Sequence, residues 1–285
     1  MIKKINYFFQ AIVIFLFFIV GRILGLRMSR KIFSLLFSML GPYIKSKKII
    51  NNNLNKFSKD ISIKEKDFIV KEMWKNYGKT FIEYIYLDYF RKIKTHIQIE
   101  GEENIDDVIN FKKPVIFVSG HFANFELMSM EITKKNIPLA TIYRPLNNNF
   151  LNPFMEYLRK KYICKNQIEK GIKGVREAIE FIKNKYSIAL MIDQRVSEGE
   201  KIDFFGYPAF TSTLPAQLAY KFDLYIIPVS IQRLKNNDFK IEFHKKINPS
   251  EYNDKIHLTN KLNTILEKMI EKNPSQWIWT HNRWK

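Results

Sequence analysis

The stretch VIFVSGHFANFEL, residues 115–127, places an imidazole at His121 and a carboxylate at Glu126, five positions later. An imidazole titrates near neutral pH and can take a proton from an alcohol, while a carboxylate on its other nitrogen steadies the charged form. Five residues on an ideal helix sweep about 500°, leaving two side chains about 140° apart. The pair can therefore act together only if His121 lies in a strand-to-helix turn and the helix starts near Ala123 or Asn124. No serine or cysteine nucleophile is then needed, because a substrate hydroxyl can attack. Taken alone, the spacing is equally that of an ordinary loop histidine and an ordinary helix glutamate.

Further candidates follow. In YRPLNN, Arg144 precedes Pro145, which restricts the local backbone, and Asn147 lies three positions on. A guanidinium held at a strand end suits a phosphate or a carboxylate, and a surface ion pair is the plainer use. DQRVSEGEKIDFFG adds Asp193, Gln194 and Arg195 as substrate-binding candidates. A solvated turn with Phe204 and Phe205 packed on the core is the alternative. Cys164 is the single cysteine, which excludes an internal disulfide and a cysteine-rich zinc site. KYICKN offers it no histidine, so it reads as a buried bystander. No glycine-rich phosphate loop, H-E-x-x-H, EF-hand or G-x-S-x-G pattern occurs, and none of the candidates so far calls for a metal or a cofactor.

The elements that must position these residues come from hydrophobic patterning. HIQIEG, PVIFVSG, IPLATIYR, SIALMID and LYIIPVSIQ read as strands. FELMSMEITKKN, LNPFMEYLRKKY, GVREAIEFIKNK and PAQLAYKF, lying between or after them, read as helices. Such alternation predicts an α/β fold, a mixed, mostly parallel sheet covered by helices. Ligands gather at the carboxyl ends of strands in such sheets, and His121, Arg144 and Asp193 each stand at one. Upstream, Phe68, Met73, Trp74, Tyr77 and Phe81 recur at helical spacing and predict a core-facing helix. Neither an internal repeat nor a linker divides the chain.

Residues 5–21, INYFFQAIVIFLFFIVG, form an uncharged run of 17 after Lys3 and Lys4. A buried core helix is one alternative; a signal peptide, the other, shares this start, but no small-x-small cleavage site follows. Instead come Arg22, Arg27, Arg30 and Lys31, which favour the cytoplasmic side. Residues 1–31 are thus expected to form a membrane-anchoring transmembrane helix, and residues 32–285 a cytoplasmic catalytic domain. Residues 32–44 suit either an interfacial helix or a core helix. The 47 Lys and Arg against 28 Asp and Glu leave a net charge of +19, which calls for an anionic partner. A nucleic-acid-binding protein or a basic membrane scaffold would use that charge. The first leaves the apolar amino terminus and the polar residues at three strand ends unexplained, and the second would tolerate loss of His121.

At these residues the sequence resembles the lipid A late acyltransferases, within the wider glycerolipid acyltransferase superfamily. GHFANFE matches the family's H-x4-D/E motif at His121 and Glu126. YRPLNN resembles its Y-R-P-x-x-N block at Arg144 and Asn147, and MIDQRVSEGEKIDFFGYPAFTSTLPAQLA its D-Q block. LYIIPVSI and the ending NPSQWIWTHNRWK are also similar, and the blocks occur in order. The resemblance implies acyl transfer from acyl carrier protein to a hydroxyl of a lipid A precursor glycolipid, at the cytoplasmic face of the inner membrane. It implies that His121 deprotonates the hydroxyl, Glu126 stabilises the imidazolium, and Arg144 meets either the oxyanion or a lipid phosphate. An anionic membrane is then a partner and nucleic acid is not. A lysophospholipid or another glycolipid is the alternative acceptor.

Overall fold

Three helices open the chain, α1 (Ile2–Ile44), α2 (Lys47–Phe57) and α3 (Ile63–Glu83), followed by the short α4 (Leu87–Lys92). The α/β portion continues with β1 (Ile97–Glu100), α5 (Asp106–Phe111), β2 (Ile116–Ser119), α6 (Glu126–Lys134), β3 (Leu139–Tyr143) and α7 (Asn152–Tyr162). Then come β4 (Asn166–Glu169), α8 (Ile172–Lys183), β5 (Ser187–Met191), β6 (Glu200–Phe204), β7 (Tyr207–Thr211) and α9 (Leu214–Phe222). The chain finishes with β8 (Ile226–Arg233), β9 (Phe239–Phe243) and α10 (Lys255–Lys272). This computed structural model describes residues 2–285.

Seven strands pair in the order β1-β9-β8-β2-β5-β3-β4, with β6 and β7 forming a separate hairpin. Only the β8–β9 pairing in the large sheet is antiparallel. The mixed, mostly parallel sheet is the one the strand and helix alternation predicts. Central β2 (IFVS) is buried at every position, as a parallel strand covered on both faces must be. β9 instead alternates, with Phe239, Ile241 and Phe243 buried and Lys240 and Glu242 half-buried. β4 and β9 were not among the expected strands: NQIE is short and polar, and FKIEF carries two charges in five residues.

The apolar amino terminus is not one straight anchor. Gly25 has φ 74° and ψ 159°, a conformation outside the helical region that only glycine adopts readily. The chain reverses there, so that the Phe17 and Phe33 rings sit 5.6 Å apart. In a straight helix these residues would be roughly 24 Å apart. Ser29 Oγ closes the bend by donating to Gly21 O at 2.6 Å. Segments 2–24 and 26–44 are thus two arms of a helical hairpin, and residue 31 falls inside the second arm.

The hairpin lies along the domain. Phe18, Phe33 and Ile82 share a buried cluster with Leu151 and Met155 of the α7 region. Arg22 grips Asp88 at 2.8 Å, and Asn148 Nδ2 donates to Tyr7 O at 2.8 Å. Gly78 of α3 permits a close approach, because a Cβ there would stand 2.1 Å from Phe33 O. The opposite side of the hairpin exposes Phe9, Leu16, Ile19, Ile23, Leu35 and Met39. A continuous exposed apolar face of this kind marks a surface made for lipid or protein. By length and hydropathy the segment is also apolar enough to enter a membrane.

Candidate active site

Beyond β2 the chain turns sharply through Gly120–Ala123 before α6 begins at Glu126. Phe122 N–H donates back to Gly120 O at 2.9 Å, and Ala123 is held at φ 45°. A non-glycine residue in that region persists only when its surroundings hold it. Here Ala123 N–H donates to Gln276 O at 3.0 Å, and its carbonyl accepts the Thr80 hydroxyl at 2.9 Å. Asn124 Nδ2 adds a 2.9 Å bond to Glu83.

The turn aims His121 at the neighbouring strand. β2 and β5 pair with Ser119 opposite Met191, which brings Asp193 beside the loop. The His121 Nδ1 to Asp193 Oδ1 distance is 2.7 Å, and Oδ2 accepts the His121 backbone N–H at 2.8 Å and Trp277 Nε1–H at 2.9 Å. A carboxylate only accepts, so Nδ1 carries the proton and Nε2 is the basic nitrogen. Burial pulls the His121 pKa down, but the Asp193 charge and hydrogen bond, with a contribution from Glu126, raise it above 6.5. Burial likewise pushes Asp193 up, yet His121 and Trp277 hold its carboxyl below the usual range.

The expected hydrogen bond between Glu126 and His121 is not formed. Glu126 turns toward α7, where Arg159 Nε donates to it at 2.8 Å, and it also accepts the Tyr84 hydroxyl. The reason is sheet geometry: β5 supplies a carboxylate directly beside the loop, while the first residue of α6 faces α7. Glu126 still reaches His121 through its charge.

Both groups line a cavity of about 680 Å³ whose apolar wall includes Phe18 of the hairpin with Leu151 and Met155. An imidazole base at a strand mouth, opening into a greasy cavity beside an apolar hairpin, is suited to chemistry on a lipid. The profile of the bacterial lipid A biosynthesis acyltransferases matches residues 2–285. This chain belongs to that family. A Haemophilus influenzae protein described as a lipid A biosynthesis acyltransferase is 23% identical over 263 residues, covering 89% of this chain and 82% of the relative. The crystal structure of the 1-acyl-sn-glycerophosphate acyltransferase PlsC from Thermotoga maritima is similar with TM-score 0.43 and 16% identity, over 87% of this chain and 99% of that one. Membership makes the chain an acyltransferase of lipid A biosynthesis.

The remaining candidates of this acyltransferase divide by position. Arg144, Asn147 and Gln194 line the cavity. Asp193 is buried behind His121 and absent from the lining, so its place is that of the imidazole's partner and not of a substrate contact. The expected substrate contact at Arg195 is likewise not found: its side chain donates to Lys285 O at 2.9 Å, outside the cavity lining. Arg144 gains a neighbour instead. Tyr143 pairs with Glu169 across β3 and β4, which puts Arg144 and Lys170 side by side at two strand ends. Both line the cavity, and neither has an ion-pair partner among the described residues. Burial and the Arg144 charge together pull the Lys170 pKa down.

Sequence reasoning missed several residues of this site. Arg159 is 9% exposed, and its Nη1 has no hydrogen-bond partner although the side chain borders the cavity. In EYLRKKY it reads as one of three consecutive basic residues. Glu83, wholly buried, joins Arg30 of the hairpin (2.6 Å) to Arg233 of β8 and to Asn124 of the His121 loop. Its signal was a lone glutamate in an otherwise aromatic helix end, TFIEYIY. Among the described residues no group of three or more His, Cys, Asp or Glu is placed to hold a metal ion.

Proposed function

We propose that the protein transfers an acyl chain from acyl carrier protein to a hydroxyl of a lipid A precursor, with His121 as general base and Asp193 as its orienting partner. The observation that carries this reading is the Asp193-held imidazole facing an apolar cavity beside the hairpin. Nε2 of His121 takes the proton of the acceptor hydroxyl as its oxygen attacks the thioester carbonyl carbon. The tetrahedral intermediate collapses, the C–S bond breaks, and the imidazolium returns its proton to the leaving thiolate. The unpartnered Nη1 of Arg159 is suited to meet the oxyanion, with Glu126 and Tyr84 fixing the guanidinium. Arg144 and Lys170 are suited to an anionic group of the acceptor, and Asn147 and Gln194 to its polar groups.

The hairpin 2–44 serves as the membrane-binding unit, wider than residues 1–31, and the catalytic domain follows it. Its apolar outer face rests in one leaflet of the inner membrane on the cytoplasmic side, in keeping with the Arg22–Lys31 basic cluster. An acceptor lipid then enters past Phe18 without leaving the bilayer surface.

The test is acyl transfer by the purified full-length chain from acyl carrier protein to a lipid A precursor. Soluble, folded His121→Ala is expected to lose at least about a hundredfold in rate. Transfer to a lysophospholipid and not to the glycolipid would change the acceptor. Undiminished turnover by His121→Ala would remove the mechanism.

A further inference from the structure

A second cavity of about 440 Å³ lies between the β8–β9 edge of the sheet and α10. Its lining combines apolar Phe122, Ile247, Ile265 and Met269 with Gln232 and the carboxylates Glu242 and Glu251, and six lysines, Lys240, Lys245, Lys246, Lys261, Lys268 and Lys272, border it. Lys261, Ile265, Lys268 and Lys272 fall at i, i+4, i+7 and i+11 along α10, one helical stripe. Lys272 has Glu242 at 3.3 Å, whereas Lys261, Lys268 and nearby Lys245 have no ion-pair partner among the described residues. Solvated lysines do not require a hollow with apolar groups at its base between them. An acidic amphipathic helix fits both features, its apolar face on the floor and its carboxylates against the rim.

The position of the groove selects a soluble occupant. On β9, Phe239 points to the sheet face that carries Phe90 and the hairpin's Arg30, while Lys240 and Glu242 point to the groove. Groove and hairpin thus occupy opposite faces of the sheet. With the hairpin on a membrane, the groove faces the solution. It also abuts the rear of the catalytic loop: Phe122 lines the groove while His121 lines the reaction cavity, and Asn273 lines the groove while Gln276 lines the cavity.

We infer that this groove is the docking site for an acidic helix of the carrier protein that delivers the acyl thioester. The inference rests on the carrier-dependent reading above and adds to it the surface that recognises the carrier. Docking there holds the carrier beside the loop that presents His121, and makes recognition of the carrier separate from recognition of the acyl chain.

The experiment compares two donors of the same acyl chain, one on carrier protein and one on free pantetheine, with the full-length enzyme. Lys261→Glu/Lys268→Glu is expected to raise KM for the carrier-bound donor at least about tenfold, as interfacial charge reversals do. KM for the pantetheine thioester and the melting temperature should stay unchanged, and added salt should weaken the wild-type preference for the carrier. Equal effects on both donors, or no effect on either, would overturn the groove. Binding of carrier protein bearing a non-transferable acyl amide, followed by fluorescence anisotropy, tests the groove even if no transfer occurs with any thioester. Variant binding as tight as wild type in that assay would also overturn it. So would a loss confined to flotation with anionic vesicles, since the occupant would then be a lipid surface.

Discussion

At the scale of residues, the decisive fact is which carboxylate holds the imidazole. Asp193 is 1% exposed and gives one oxygen to the ring and the other to the His121 backbone and Trp277. As a base, His121 must be neutral, so activity is expected to rise with pH through an apparent pKa above 6.5. In Asp193→Asn the burial that lowers the pKa is left without its counterweight, so this limb should move to lower pH. The rate should fall by about 10²–10⁴. A pH–rate profile with an unmoved limb would mean that Asp193 does not tune the base. Because the two residues act as one unit, His121→Ala/Asp193→Asn should be little worse than His121→Ala alone. Glu126 belongs to a second unit with Arg159 and Tyr84. Glu126→Gln and Arg159→Lys should each lower kcat, and their losses should combine less than additively in a double-mutant cycle, because each leaves the other's buried partner unpaired. Full additivity would separate their roles.

At the scale of elements, the hairpin depends on one backbone position. No atom lies within 4 Å of a Cβ built at Gly25, so the cost of Gly25→Ala is conformational and not steric. A side chain at that φ/ψ costs on the order of 1–3 kcal/mol, which should appear as a lowered melting temperature in detergent. Spin labels at Leu16 and Leu35, both exposed, read the geometry directly. In the wild type their separation should be well under the roughly 28 Å that a straight helix imposes. A measured distance near that value would refute the hairpin. Arg30 inserts from the second arm onto Glu83, so the arm also completes the charge network behind the His121 loop.

At the scale of the whole molecule, acid stability follows from buried histidine. Both ring nitrogens of His96 are buried without partners, and its ring lies 5.0 Å from that of Phe90. Burial, aided by the Lys134 charge, pulls its pKa from 6.5 down to about 4. The unfolded chain therefore binds the proton more readily than the folded one. Stability falls as pH drops from about 6.5 toward 4, by about 3 kcal/mol from this residue. Asp193, with its pKa depressed, adds stability that is lost as pH falls through its folded value, below the usual carboxylate range. His121 works the other way, contributing below 6.5 and losing its contribution as pH rises through its raised pKa. Denaturation midpoints measured between pH 6.5 and 4 should decline in the wild type and decline less steeply in His96→Leu, where burial still lowers the pKa of His244 and His281. An unchanged slope in that variant would assign the acid sensitivity elsewhere.

By itself, the sequence determined the alternation of strands and helices, and hence an α/β sheet with polar residues at the ends of β2, β3 and β5. It determined this because burial on both faces demands continuous apolar runs, and IFVS and SIALM are such runs. It marked His121 and the apolar amino terminus for the same reason: an imidazole after a buried strand and an uncharged run of that length are both unusual locally. The strand order and the partners were decided only by tertiary structure. Asp193 lies 72 residues beyond His121 and meets it because β5 pairs beside β2, a choice no local pattern records. Arg159 and Lys170 read as surface charges in a lysine-rich chain until α7 and β4 bring them to the cavity wall. The hairpin was hidden because Gly25 is an ordinary glycine in a helical run. Its positive φ is imposed by the arms packing side by side on α3, not by any neighbour in sequence.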